Sequence, residues 1–266
     1  MCAAALRAST AGSPGEIIIA AVADEEYESI GTRGLIERGV RADACVVTEP
    51  TRLTIMPAHR GFVWLEVEIA GRAAHGSRWD IGIDAIRHAG LLLAELDTYD
   101  AVVLPTRTHT LLGRGSLHAS LIEGGIGMST YPERCVLKLE RRTSPGESAD
   151  DAVREVRQAC NRVQARRSTF SADVRLLVTQ GPSDVAVDAP LVVSLGHALR
   201  ASGEPVVVEG MSAWTDAALL NETGIPAVCF GPGDISLAHS AEEYIPLDEI
   251  DRATAVLASF AGRWCA

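Results

Sequence analysis

Hydrophobic positions along this chain follow two different rules. Residues Ile17-Ile18-Ile19-Ala20-Ala21-Val22-Ala23 are apolar without interruption. That is the pattern of a strand buried on both faces, as in a parallel sheet covered by helices. Residues 44–48 and 227–230 repeat it, and residues 205–208 are read as a further strand of the same sheet. Residues 62–69 mix apolar and polar positions, as a half-exposed strand does. Helical spacing appears at Ile86, Ala89, Leu93 and Leu96, at Val153, Val156, Cys160 and Val163, and at Ile250, Ala253, Leu257 and Phe260.

Punctuation divides these runs. Residues 1–8 read as a helix and Ser13-Pro14-Gly15 as a turn, ahead of the first apolar strand. A short helix from Ile30 to Arg38 stops at Gly39. Ser148-x-x-Asp151 has the spacing of a capping box, and Asp248 is placed to cap the last helix. A helix over residues 190–201 precedes the strand at 205–208. From residue 58 the order is β-α-β-β-α-β, with strands at 62–69, 116–122, 135–141 and 172–178, which is that of a ferredoxin-like unit. After Gly181-Pro182 the first rule returns. The expected fold is an α/β domain with a mostly parallel sheet, residues 1–57 and 180–266, interrupted by an α+β domain at 58–179. An edge strand of the inserted domain is a ready surface for pairing with another chain.

Composition narrows the function classes. The net charge of -11 argues against nucleic acid and anionic membrane partners. No apolar run reaches membrane-spanning length, and the N-terminus lacks a signal-peptide layout. The 6 cysteines form no C-x-x-C pair and read as reduced, mostly buried residues of a cytoplasmic protein. The tryptophans read as packing residues, and His59, His88, His109, His118 and His197 as structural.

Chemistry concentrates at strand ends. Asp24-Glu25-Glu26 closes the first apolar run and Glu49-Pro50-Thr51 the second. Adjacent carboxylates repel one another and are costly to bury without a counter-charge. In open α/β sheets ligands lie beyond the carboxyl ends of the strands, where a cation would justify such a cluster. His239 lies beyond the last strand. Carboxylates plus imidazole, with no thiolate, suit Zn²⁺ or a similar divalent ion in a hydrolytic site. Of adjacent Glu25 and Glu26, one can act as base and the other as ligand. Asp216, in Trp214-Thr215-Asp216, either orients a site group or caps a helix.

Taken in order, Asp24-Glu25-Glu26, Glu49-Pro50-Thr51, Gly71-Arg72-Ala73-Ala74-His75-Gly76-Ser77, Gly124-Gly125 and Phe230-Gly231-Pro232-Gly233 through His239 to Tyr244 resemble the dizinc deacylase and exopeptidase family. That family includes acetylornithine deacetylase, succinyl-diaminopimelate desuccinylase, aminoacylase and glutamate carboxypeptidase. The resemblance implies a zinc-dependent amidohydrolase acting on N-acyl amino acids or small peptides, with Co²⁺ or Mn²⁺ as alternative metals. It implies Glu25 as general base, Glu26 and His239 as ligands of one zinc, and Glu49 as ligand of the other. It makes the inserted domain a lid and the contact of a homodimer. His75 would reach the partner subunit's site and stabilise an oxyanion, and Arg142 would hold a substrate carboxylate, with Arg141 as the alternative one residue earlier. Ser129 stands where many relatives have Asn as a substrate contact.

The family's upstream His-x-Asp and bridging Asp have no counterpart in this sequence. A rival reading of another class follows: a shortened, catalytically inactive relative that dimerises or binds, or the product of a gene model started late. A mononuclear enzyme using Glu26, Glu49 and His239 is a third reading.

Overall fold

The computed structural model describes residues 1–9 and 15–266; Ser13 and Pro14 of the expected turn lie outside the described residues. The chain forms two compact units, one of residues 1–59 with 183–266 and one of residues 60–182.

The first unit contains α1 (Cys2–Ser9), α2 (Ile30–Glu37), β1 (Cys45–Val47) and β2 (Ile55–His59). The second contains β3 (Gly61–Ala70), α3 (Ala85–Val102), the short pair β4 (Thr108–His109) and β5 (Gly113–Arg114), β6 (Ser116–Gly124), β7 (Arg134–Thr143), α4 (Ala149–Arg166) and β8 (Ser171–Gln180). The chain then returns to the first unit with β9 (Ser183–Asp184), α5 (Pro190–Ala201), β10 (Val208–Met211), α6 (Ala217–Glu222), β11 (Ala227–Cys229) and α7 (Leu247–Trp264).

The sheet of the first unit runs β1-β11-β2-β10, with β9 added to β2. β1 pairs parallel with β11 and β10 with β2, while β2 runs antiparallel to β11 and β9, so the sheet is mixed. Alternation across the sheet builds two cores. Ile55, Val228 and Phe230 face Leu191 and Leu195 of α5 and Val256 and Phe260 of α7. Met56, Ala227 and Cys229 face Ala217 and Leu220 of α6. Helices on both faces are the reason β11 is apolar at every position.

Residues 17–23 depart from expectation. They form no strand, and Ile18 stands 49% exposed. A continuous apolar run becomes a strand only where a neighbouring strand takes its N–H and C=O groups, and the described residues offer it none. The strand expected at 205–208 starts later, at Val208, and runs to Met211. Pro205 brings no N–H to a ladder. The last helix begins at Leu247 with Pro246, not Asp248, at its N-cap. Asp248 and Glu249 instead occupy its first turn, where the helix dipole favours carboxylates.

The second unit is an antiparallel sheet in the order β6-β7-β3-β8. That is the ferredoxin-like arrangement. β3 is central, with Leu65 opposite Leu139 of β7 and Leu176 of β8. Its alternate residues Val63, Leu65, Val67 and Ile69 are buried under α3 and α4. The Ser148 capping box opens α4 with both reciprocal bonds made. On α3 the buried face is Ala85, His88, Ala89, Leu92, Leu96 and Tyr99, so Ile86 turns outward. His88 is a packing residue against Phe170, ring centroids 5.5 Å apart, and burial lowers its pKa. The tryptophans are not uniformly core: Trp79 is 81% exposed.

Candidate active site

β1 and β11 are parallel neighbours, so their carboxyl ends open on the same side of the sheet. The loop after each carries site residues, and the two loops are bonded together. Thr51 is buried; its hydroxyl accepts the Gly231 N–H at 3.0 Å and donates to the Gly231 carbonyl at 3.2 Å. The Leu53 N–H donates to that carbonyl as well, at 3.0 Å. Gly231 passes so near Glu49 that a β-carbon there would sit 2.6 Å from the Glu49 carbonyl oxygen. The glycine therefore permits the approach that sets Glu49 beside the β11 loop. Further along that loop, His239 adopts a left-handed backbone with φ 62°, and its N–H donates to the Glu243 carboxylate at 3.0 Å.

Glu25 and Glu26 lie in a turn between the unpaired apolar run and α2. The turn is fastened by the Ser29 N–H donating to the Asp24 carbonyl at 2.7 Å and the Gly31 N–H to the Ala23 carbonyl at 3.1 Å. Only Glu49, then, follows a paired strand; Glu25 and Glu26 reach the site from a turn. The Glu26 carboxylate meets the His239 Nε2 at 3.4 Å, both side chains largely exposed. Glu25 is half-buried, and its pKa is raised to about 7 by desolvation first and then by the charges of Glu49, Asp216 and Glu26. Burial and the charges of Glu26 and Asp216 raise the pKa of Glu49 too. Four carboxylates thus share one field. Asp216 belongs to it, and the sequence had left its role open. It occupies the N-cap position of α6 without making a capping hydrogen bond.

Chemically, the mutual repulsion that lifts Glu25 and Glu49 is what a cation relieves, and a carboxylate–imidazole donor set suits a divalent ion. Glu26 and His239 would hold one such ion and Glu49 would contribute to another. Among the described residues no three His, Cys, Asp or Glu side chains gather closely enough to hold one ion.

The remaining candidates belong to the second unit. His75 forms an isolated bridge to Thr130, and the Gly76 N–H donates to the Ser129 carbonyl at 2.7 Å. This unit therefore brings His75 and Ser129 together. The Ser77 hydroxyl lies 2.9 Å and the Ser77 N–H 3.3 Å from His75 Nδ1; with Nδ1 accepting, Nε2 carries the ring proton. Arg142 lies over the Phe62 ring, 5.4 Å from its centroid, and donates to Glu140 at 2.5 Å. Glu140 also accepts the Trp64 indole N–H at 2.8 Å. Arg141 points the other way. It is 1% exposed and paired with Glu147 and Glu155. Alternation along β7 sends neighbouring side chains to opposite faces, so of the two arginines only Arg142 is accessible to a ligand. The Phe62, Trp64 and Glu140 setting of Arg142 was missed in the sequence because it is assembled across strands.

The family and relatives that the chain matches place it in a metal-dependent hydrolase class of the amidohydrolase and peptidase type. The chain belongs to peptidase family M20/M25/M40, which it matches over residues 1–263. It is 31% identical to an acetylornithine deacetylase of Myxococcus xanthus over 269 residues, covering 98% of this chain and 68% of that protein. It is 24% identical to an N-formyl-4-amino-5-aminomethyl-2-methylpyrimidine deformylase of Bacillus subtilis (strain 168), covering 98% of this chain and 67% of that one. The fold is similar to the crystal structure of aminopeptidase PepT from Bacillus cereus, with a TM-score of 0.76 at 19% identity over 91% of this chain and 62% of that one. A tripeptidase from Staphylococcus aureus gives 0.72 at 16% identity over 89% of this chain and 61% of that one. The chain thus spans about two thirds of the length of these relatives. No described helix is long and apolar enough to cross a membrane.

Proposed function

We propose that this chain carries the chemistry of a cytoplasmic deacylase that hydrolyses the amide bond of N-acyl amino acids or small peptides, in the manner of acetylornithine deacetylase. One observation carries the reading: the half-buried Glu25 has its pKa raised to about 7 beside the Glu26–His239 pair. A carboxylate poised near neutrality can both take and return a proton. Glu25 takes a proton from the water whose oxygen bonds to the amide carbon. It delivers that proton to the nitrogen as the carbon–nitrogen bond breaks. Glu26 and His239 would hold one zinc, or cobalt or manganese in its place, and Glu49 would contribute to a second; the metal would supply Lewis acidity. His75 donates from Nε2 to the developing oxyanion. Arg142 exchanges Glu140 for a substrate carboxylate, and the Ser129 hydroxyl bonds the substrate beside His75. The unit of residues 60–182 acts as lid and as the contact of a homodimer, which lends His75 to the partner's site.

A second reading has the chain as a non-catalytic member of the family that binds or dimerises. Elemental analysis of the purified 266-residue chain, alongside hydrolysis of a panel of N-acyl amino acids, separates the two. Bound divalent metal with turnover, and a loss of roughly 100-fold or more in Glu25→Gln with metal content unchanged, supports the deacylase. A folded, metal-free and inactive chain supports the second reading.

A further inference from the structure

Asp216 is the most enclosed acid of the carboxylate cluster. It is 3% exposed, as is Thr32 of α2. The Thr32 hydroxyl donates to Asp216 Oδ2 at 2.5 Å, across 184 residues of sequence. The other carboxylate oxygen, Oδ1, is buried with no hydrogen-bond partner. A buried acid at the N-cap position of a helix is expected to bond that helix's amides, yet this one caps nothing. Its one side-chain bond goes instead to the helix that follows the Glu25–Glu26 turn.

That helix is tightly held at its start. Ser29 precedes it, fully buried, with φ 55°. The Gly31 N–H donates to the Ala23 carbonyl at 3.1 Å, and a β-carbon on Gly31 would lie 2.4 Å from the Ala23 nitrogen. The Ser29 hydroxyl reaches the Glu25 carbonyl at 3.4 Å. Anything that holds Thr32 therefore holds the turn carrying Glu25 and Glu26.

We propose that Asp216 is a positioning residue: through its buried hydrogen bond from Thr32 it anchors α2, and with α2 the Glu25–Glu26 turn, to the N-terminal end of α6. The bond joins α2 to the helix leading into β11, so the turn is registered against the strand whose loop carries His239. The consequence for catalysis rests on the reading of Glu25 as base; the anchoring itself does not.

Amide hydrogen exchange on the full chain tests it. Thr32→Val removes the hydroxyl while keeping the shape. It speeds exchange at the Ser29 and Gly31 amides by roughly tenfold and leaves β7 of the other unit unchanged. Thr32→Ser restores the parental rates. Asp216→Ala reproduces the Thr32→Val pattern, and combining the two adds little, as expected of partners in one bond. Parental exchange at Ser29 and Gly31 in Thr32→Val overturns the proposal. So does acceleration spread evenly over α5, α7 and β11 without recovery in Thr32→Ser, since that marks general packing. Undiminished turnover in Glu25→Gln would remove the catalytic reading and leave the exchange result standing; parental exchange would remove the anchor and leave Glu25 as base.

Discussion

Arg141 and Arg142 are neighbours with opposite jobs, and exchanging each for methionine separates them. The Arg141 guanidinium is enclosed with Glu147 and Glu155, and it also donates to the Arg142 carbonyl. Arg107 supports the same two acids. Glu147 in turn accepts the Ser144 N–H at 2.8 Å, closing the turn after β7. Removing one partner of a buried ion pair leaves the other charge uncompensated, at about 3–5 kcal/mol. Arg107 stays in place to compensate part of that, so Arg141→Met is expected near the lower end, about 3 kcal/mol. With a urea slope of about 2 kcal/mol/M, the unfolding midpoint falls by roughly 1.5 M. Arg142 is partly exposed, and its pairing with Glu140 reaches solvent at its edge. Such a pair contributes about 0–1 kcal/mol, so Arg142→Met barely moves the midpoint. Its effect belongs in the Michaelis constant: KM rises about tenfold or more for substrates with a free carboxylate, and much less for their amides. Urea titration and steady-state kinetics on both variants check this. An Arg141→Met protein of parental stability with a raised KM would refute the assignment, because it would make Arg141 the ligand-facing residue.

Two further outcomes follow from the carboxylate cluster. In the metal-free protein Glu25 titrates near 7 when folded and near 4.5 when unfolded, so between these values the folded state binds more protons and stability falls as pH rises; above the folded value the penalty is complete. The undiscounted shift corresponds to about 3 kcal/mol, and the half-exposure of Glu25 reduces it to on the order of 1–2 kcal/mol. Urea titrations from pH 5 to 8 show the decline, Glu25→Gln flattens it, and an equal slope in both proteins would contradict it. Gly231→Ala forces a β-carbon against the Glu49 carbonyl, which costs about 1–3 kcal/mol; a melting temperature within a degree of the parent would show that the two loops are not in close contact.

What a reader of the sequence alone can determine is what nearby residues decide together. The Ser148 capping box needs only Asp151 three positions on, and it is made in full. α5 begins and ends where its apolar spacing and Pro190 place it. The β-α-β-β-α-β order is enough to state the second unit, because its strands alternate and its helices are amphipathic over many residues. The acids Glu25, Glu26 and Glu49 stand out because like charges rarely crowd the end of an apolar run without a reason.

Tertiary structure decided whatever depends on a distant partner. The run at 17–23 has the composition of a strand, but strand status belongs to a pair of segments, and its pairing is absent among the described residues. Whether Arg141 or Arg142 meets a ligand turns on which face of β7 is covered, and α4 supplies the covering acid Glu155. A one-residue shift reverses every side chain of a strand, so no local pattern resolves it. Asp216 is left open by the sequence between orienting a site group and capping a helix, because only the next few residues bear on capping. Its actual bond reaches Thr32, 184 positions away, and only the folding of α2 against α6 brings the two within hydrogen-bonding distance.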